Sequence, residues 1–393
     1  MPLLPVVDAQ NRVLSLAAPL AVEHVSLAAA AHRFAAADVV ARRTQPASDL
    51  SAMDGYAVRH ADLDRPLRLI GESAAGRPFG GTVGAGETVR IFTGAAMPEG
   101  ADCVLVQEEA RIEGPIVHLA GEGPGHPGRN VRRRGLDFAE GDVLIPAGAA
   151  ITPARLAVAA IGGHAHLPVR QRVRVAIAAT GDELVPAGAP LTAGQLPESN
   201  GVMLAAMLSP MGVEIIDLGI LPDRADMLEA AFRSVAADVL VTTGGASVGD
   251  HDLVRPALEA AGASIDFWRI ALRPGKPMMA GRLGRTVVLG LPGNPVSAFV
   301  TAELFVKPLI RHLAGAIDPF AATVRAPLGE DLPANGERTD YLRAELRDGA
   351  AFASTIQDSS MLRTLARSTC LVVRPPHAPA ARTGDSAEIL MIA

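Results

Sequence analysis

The chain has 393 residues, of which 49% are hydrophobic and 20% charged, which excludes disorder as the main state and suggests about two to four domains. A net charge of −6 and only 3% aromatic residues argue against a polyanion binder or a base-stacking nucleic-acid platform. No apolar run approaches the ~18 residues of a membrane span, MPLLPVVDAQ lacks the pattern of a signal peptide, and two cysteines, Cys103 and Cys370, allow neither a disulfide framework nor a Cys-rich zinc site. The expectation is a cytoplasmic protein with no membrane and no nucleic acid among its partners. In chain order, Ser15–Ala41 reads as a helix, punctuated by Pro19 and Pro46. From Ala47 to about Asp142 short β-rich runs take over, at Leu67–Ile70, Thr88–Thr93, Cys103–Gln107 and Ile116–Leu119. Thr152–Ile161 returns to helix, with Pro153 in its first turn. The centre alternates strands Val173–Ala178, Val213–Leu218, Val239–Thr243 and Thr286–Leu289 with helices Asn200–Leu208, Asp226–Val235, Asp252–Ala260 and Val296–Leu313. Such alternation means βαβ units, a mostly parallel sheet and helices on both faces. The tail is β-rich again, at Tyr341–Leu346, Leu371–Arg374 and Glu388–Ile392. The expected architecture is therefore multidomain α/β plus β. One α/β domain, about 168–317, is flanked by a discontinuous helical–β region and a small C-terminal β domain, about 318–393.

Ligands of an open α/β sheet bind beyond the carboxyl ends of its strands. Three strand ends carry informative loops: Thr180-Gly181-Asp182-Glu183, the run from Gly244 through Gly245, Ser247, Gly249 and Asp250 to Asp252, and Gly290 through Pro292, Gly293, Asn294 and Pro295. Glycine lets backbone N–H groups approach an anion, and a following helix adds positive potential. Each loop alone is equally well read as a tight turn; together they point to a phosphate-bearing ligand. No Gly-Lys-Ser/Thr follows, and no GxGxxG follows a strand, so neither a P-loop nor a Rossmann dinucleotide site is expected. Asp182, Glu183, Asp250 and Asp252 stand beside these loops as candidate Mg²⁺ ligands; the competing reading is a helix cap for Asp182 and a solvated first-turn acid for Asp250 or Asp252. Arg269, Arg273 and Lys276 form a basic cluster able to neutralise a multiply charged anion, or an ordinary basic turn. The N-terminal half contributes Asp54 within Ser51–Val58, Thr93, and a basic run Arg129–Gly135 followed by Asp137. His164, His166 and His251 make no ligand set, so no zinc site is expected.

The motifs SAMDGYAV, TGA, NVRRRGLD, TGDEL, GGASVGDHD, RPGKP and LPGNPVSA occur in this order. Together they resemble the molybdopterin molybdenumtransferase family, to which the E domain of gephyrin is related, over nearly the whole chain. The resemblance implies four domains in an elongated, L-shaped subunit: a discontinuous helical domain at 1–45 and 140–167, a β domain inserted into it at 46–139, a three-layer α/β molybdopterin-binding domain at 168–317 and a C-terminal β-barrel at 318–393. It also implies a homodimer with an active site shared between subunits. The implied reaction inserts molybdate into adenylyl-molybdopterin, releasing AMP and giving molybdenum cofactor, with Mg²⁺ as cofactor. By motif position it places Asp54, Asp137, Asp182, Glu183, Asp223 and Asp252 among the catalytic residues, with Asp182, Glu183 and Asp252 on the metal. Thr93, Thr180, Gly244, Gly245, Ser247, Gly249, Arg269, Arg273, Lys276 and Pro292 to Pro295 then contact the pterin nucleotide, and Arg273, Arg343 and Ser359 contact molybdate. Arg269 and Arg273 stand where many relatives carry lysine, Pro197-Glu198-Ser199-Asn200 replaces an Asp-Ser-Asn pattern, and Gln357-Asp358-Ser359-Ser360 replaces Gln-Gly-Ser. Alternatives of other kinds are a molybdopterin adenylyltransferase and a gephyrin-like scaffold. An adenylyltransferase is also an expected partner.

Overall fold

The computed structural model describes residues 3–244 and 253–392. Its centre is a six-stranded sheet: β1 Arg174–Thr180, β2 Glu214–Leu221, β3 Val239–Thr243, β4 Ser264–Arg269, β5 Pro277–Leu283 and β6 Thr286–Leu291. The spatial order is β2-β1-β3-β6-β5-β4. The first four run parallel, and β5 is antiparallel to both β6 and β4. The four parallel strands are the four expected from the sequence. The strands β4 and β5 were not read as strands; much of the basic segment 267–277 lies in them and in the turn between.

Four helices follow the strands: α1 Asn200–Leu208, α2 Ala225–Arg233, α3 Val254–Ala260 and α4 Pro295–Thr301. A π-helical stretch, Ala302–Val306, continues α4 into Lys307–Leu313. Successive strand residues point to opposite faces, and the core divides accordingly. Val175, Ile177 and Val241 pack with Leu204 and Leu208 of α1 and with Val296 and Val300 of α4. Ala176, Leu240 and Val288 pack on the other side with Leu228 and Phe232 of α2 and with Val254 and Leu258 of α3.

The expected helix over Ser15–Ala41 is corrected. Val22–Ser26 is a strand paired antiparallel with His166–Arg170, and Val39–Val40 pairs with Val143–Ile145. Only Leu27–Ala30 is helical. Alanine's helical advantage is a fraction of a kcal/mol per residue, so tertiary pairing of β-branched segments overrides it. The helix lies upstream instead, at Val6–Ser15, and begins directly after Pro5. Its Val6, Ala9 and Val13 pack into the central core. The expected helix with Pro153 in its first turn is present as Pro153–Ile161, and Thr152 caps it, its side chain accepting the Arg155 amide.

Residues 55–119 hold a six-stranded sheet in the order Cys103–Val106, Gly55–Val58, Glu87–Ile91, Leu67–Ser73, Ile116–Leu119, Ala110–Glu113. In the C-terminal sheet, Thr339–Arg347 pairs with Ala350–Ala353 and Cys370–Arg374, and Ser386–Met391 joins Cys370–Arg374 to Thr323–Pro327. A bridge from Leu328 to Ala351 connects the two ends and closes a barrel. Leu272–Arg273 of the centre adds to this sheet by pairing parallel with Thr339 and Asp340. Among the described residues no helix is long and apolar enough to cross a membrane.

Candidate active site

The chain leaves β1 toward β2 on one side and β3 lies on the other, so strand order reverses between β1 and β3. A crevice opens at the carboxyl ends of a doubly wound sheet at this kind of point. Here it is a cleft of about 740 Å³, lined by Thr180, Gly181, Glu183, Asp223, Thr243, Gly244, Pro292, Gly293, Asn294 and Pro295 among others. The three loops singled out by sequence therefore meet in one cavity. Gly244 has φ +90°, and a Cβ there would lie 2.5 Å from the Thr180 carbonyl oxygen. Only glycine fits without displacing the backbone. Thr180 closes the same junction by donating its hydroxyl to the Thr243 carbonyl at 3.3 Å. Gly245, Ser247, Gly249, Asp250, His251 and Asp252 lie outside the described residues.

One rim of the cleft is acidic. Asp182 and Glu183 are exposed and follow β1; Asp223 follows β2 and is partly buried. Asp182 Oδ1 accepts the Asp223 backbone amide at 3.0 Å. Burial, and then the nearby charges of Asp182 and Glu183, push the Asp223 carboxyl above its ordinary range, against the Asp182 backbone hydrogen bond. Among the described residues no ion pair joins these three acids to a cation, and no set of three His, Cys, Asp or Glu side chains is arranged to hold an ion by itself. Magnesium is commonly held by one or two carboxylates together with substrate phosphate oxygens. The uncompensated rim matches that donor set.

Asn200 is a wall residue that the sequence reading quoted but did not assign. It is 9% exposed, donates Nδ2 to the Gly293 carbonyl at 2.8 Å, and leaves Oδ1 without a partner. Its signal was the Ser-Asn pair at the start of a helix beside a cleft loop. Ser359 also reaches this wall: Asn294 donates Nδ2 to its hydroxyl at 3.0 Å, and the Val296 amide donates to its carbonyl at 3.1 Å. Ser360 lines the cavity beside it.

The cations are placed differently. Arg273 pairs with the buried carboxylate of Asp340, and both line a second cavity of about 340 Å³ on the barrel. Lys276 lies near them, against Asn335 and Arg338; Arg269 is exposed at the end of β4. Arg343 does not face open space. It is 1% exposed and spends its guanidinium on Gln357 Oε1 and the Met361 and Ile356 carbonyls. The expected trio Arg273, Arg343 and Ser359 is thus not assembled as three free ligands. A buried guanidinium must satisfy its donors internally, and nearby backbone carbonyls do so here.

Asp54 and Thr93 meet in the inserted β region. Asp54 Oδ1 accepts the Thr93 amide at 2.7 Å and its hydroxyl at 2.9 Å, which holds the carboxyl below its usual range. Arg90 stands nearby, stacked on Tyr56 and Phe92. Asp137 is exposed, its amide bonded to the Gln45 carbonyl. None of the three lines the cleft of its own chain.

Residues 4–163 match the MoeA N-terminal region (domain I and II), 176–312 the probable molybdopterin binding domain, and 325–392 the MoeA C-terminal region (domain IV). A molybdopterin molybdenumtransferase of Haemophilus influenzae is 41% identical over 313 residues, 78% of this chain and 77% of the relative. One from Bacillus subtilis is 33% identical over 404 residues, covering 99% and 94%. The chain belongs to the molybdopterin molybdenumtransferase family. The fold agrees: the crystal structure of a molybdopterin biosynthesis moeA protein from Pyrococcus horikoshii OT3 superposes with a TM-score of 0.84 at 27% identity, covering 100% of both chains. As a molybdenumtransferase family member the chain is a transferase of molybdenum cofactor biosynthesis. Its cleft is lined by the matched molybdopterin binding domain, with Ser360 contributed from the C-terminal region.

Proposed function

We propose that this transferase inserts molybdate into adenylyl-molybdopterin and releases AMP. The observation that carries this reading is the single cleft at the β1–β3 switch point, where two Gly/Pro-rich strand-end loops face an acidic rim. Gly244 and Gly293 let the backbone approach a phosphoanhydride closely. Anionic phosphates and three uncompensated carboxylates repel one another, so a divalent cation between them fits the charge pattern. Asp182 and Glu183 would hold Mg²⁺, with Asp252 as a further candidate from outside the described residues. When bound, Mg²⁺ neutralises charge on the phosphate oxygens.

The chain's own groups then have separate tasks. Asp223, with its raised carboxyl, is the rim acid best matched to accept a proton from the oxygen attacking the phosphoanhydride. The attacking oxygen is that of a water: it bonds to the adenylyl phosphorus as the anhydride P–O bond breaks, so AMP departs with the water oxygen and the bridging oxygen stays on the pterin phosphate. One molybdate oxo leaves as water with the two dithiol protons as both sulfurs bond to molybdenum. Asn200, Asn294 and Ser359 shape the opposite wall and orient the substrate. Molybdate is the second substrate, and Arg273 and Lys276, with Arg269, supply cationic charge on the barrel side.

A homodimer is part of the proposal. Among the described residues no hydrogen bond or ion pair joins 46–139 to the central sheet, so Asp54 and Thr93 are available to the cleft of a second copy. A cytoplasmic location and supply of the substrate by an adenylyltransferase complete it. The test mixes purified protein with adenylyl-molybdopterin, Mg²⁺ and molybdate and follows AMP. Release should require both the cation and molybdate; undiminished release in EDTA would remove the metal from the scheme.

A further inference from the structure

We propose that Gln357 is a positioning residue for the transferase reaction, acting through loop 354–361 to set Ser359 and Ser360 at the cleft. The proposal rests on the reaction assigned above. Every hydrogen-bonding direction of the Gln357 amide is used. Its Oε1 accepts the Arg343 backbone amide at 3.0 Å and Arg343 Nε at 3.3 Å. Its Nε2 donates to the Ser354 carbonyl at 2.8 Å and the Arg343 carbonyl at 3.1 Å. The side chain thereby fastens the loop to the middle of the barrel strand Thr339–Arg347. Arg343 grips the same loop at Ile356 and Met361, on either side of the serines.

The far end of this loop touches the cleft. Asn294 occupies the N-cap position of α4, yet its side chain makes no cap bond and instead donates to the Ser359 hydroxyl. The Ser359 carbonyl accepts the Val296 amide, one of the first-turn donors that a helix leaves open. Asp358 locks the tip, accepting both the amide and the hydroxyl of Ser360 at 2.9 and 2.6 Å. The loop also borders the second cavity, where Ser354, Thr355 and Gln357 line the wall opposite Arg273. Gln357 is therefore the joint between the barrel strand Thr339–Arg347 and the loop 354–361, whose Ser359 and Ser360 stand at the cleft wall. Gln357 itself is not among the residues that line the cleft.

The experiment uses the full chain with Gln357→Met, which keeps volume and removes all four bonds, Gln357→Glu, which keeps the two bonds accepted from Arg343 and removes both donated ones, Ser359→Ala, and the Gln357→Met/Ser359→Ala pair. AMP release with adenylyl-molybdopterin and molybdate should fall on the order of 10²-fold in kcat for Gln357→Met, as for other displaced catalytic walls, with KM for the pterin nucleotide nearly unchanged. The double variant should be no slower than the slower single variant, because both changes act through one loop. Amide exchange should speed up at 354–361 and at Val296 in both Gln357 variants. Multiplicative losses in the double variant, or unchanged exchange, overturn the proposal. So does full AMP release by Ser359→Ala. If Gln357→Met does not fold, Gln357→Glu carries the test, and its full activity is equally fatal. Should the unaltered chain release no AMP, the assigned reaction fails, and the exchange data alone then judge the brace.

Discussion

Asp182 Oδ1 accepts the backbone amide of Asp223 at 3.0 Å, tying together the loops that leave two adjacent parallel strands. This bond holds two carboxylates at one rim of the cleft at the cost of mutual repulsion.

That repulsion gives a pH dependence. Burial and the neighbouring acids raise the Asp223 carboxyl in the folded state. Between its ordinary value of 3.8 and the raised one, the folded chain binds more protons than the unfolded chain. Stability contributed by this group therefore falls as pH rises through the window and stays lost above it. Asp223→Asn should melt higher than the unaltered protein at neutral pH, with the gap closing on acidification, while its AMP release collapses. A neutral-pH melting temperature below that of the parent would show that Asp223 is stabilising instead.

Glu183→Ala separates function from folding. Glu183 is exposed, and exposed substitutions usually change stability by no more than ~0.5 kcal/mol. Turnover should drop by orders of magnitude with the melting curve nearly superimposable. A large melting shift would make Glu183 structural.

Gly244→Ala should damage both. A Cβ at φ +90° meets the Thr180 carbonyl oxygen at 2.5 Å and its hydroxyl at 2.9 Å. Left-handed strain alone costs roughly 1–3 kcal/mol, and the clash pushes β1 and β3 apart at the cleft floor. Calorimetry and AMP release both read it; an unperturbed variant would place the loop elsewhere.

Arg343→Ala tests burial against ligation. Loss of the guanidinium leaves the Ile356 and Met361 carbonyls unpartnered, at about 1–3 kcal/mol for each one that stays buried. The expected result is a lowered melting temperature with or without molybdate. A variant of parental stability that merely needs more molybdate would make Arg343 a direct ligand.

Asp54→Ala and Glu183→Ala test the shared site. Each homodimer should be inactive. A heterodimer of the two holds one site with both defects and one with neither, so verified heterodimers should regain part of the activity. Without recovery, each cleft must be completed within its own chain.

Legible in the residues alone were the four parallel strands of the centre, the strand-end loops at Thr180, Gly244 and Pro292, and the helix with Pro153 in its first turn. These features are written in neighbouring residues: strand-like apolar runs, Gly and Pro at turns, a proline in a helix's first turn. The ordered motifs likewise pointed to the family before any contact was known. Tertiary structure decided what depends on distant segments meeting. Val22–Ser26 became a strand because His166–Arg170 lies beside it, whereas its local alanine content favours helix. Asn200 became a cleft residue because Gly293 came within 2.8 Å. Arg343, chosen by motif as an anion ligand, was buried by the loop it holds. A charged side chain announces only that it needs partners; the fold decides whether they are substrate oxygens or the chain's own carbonyls.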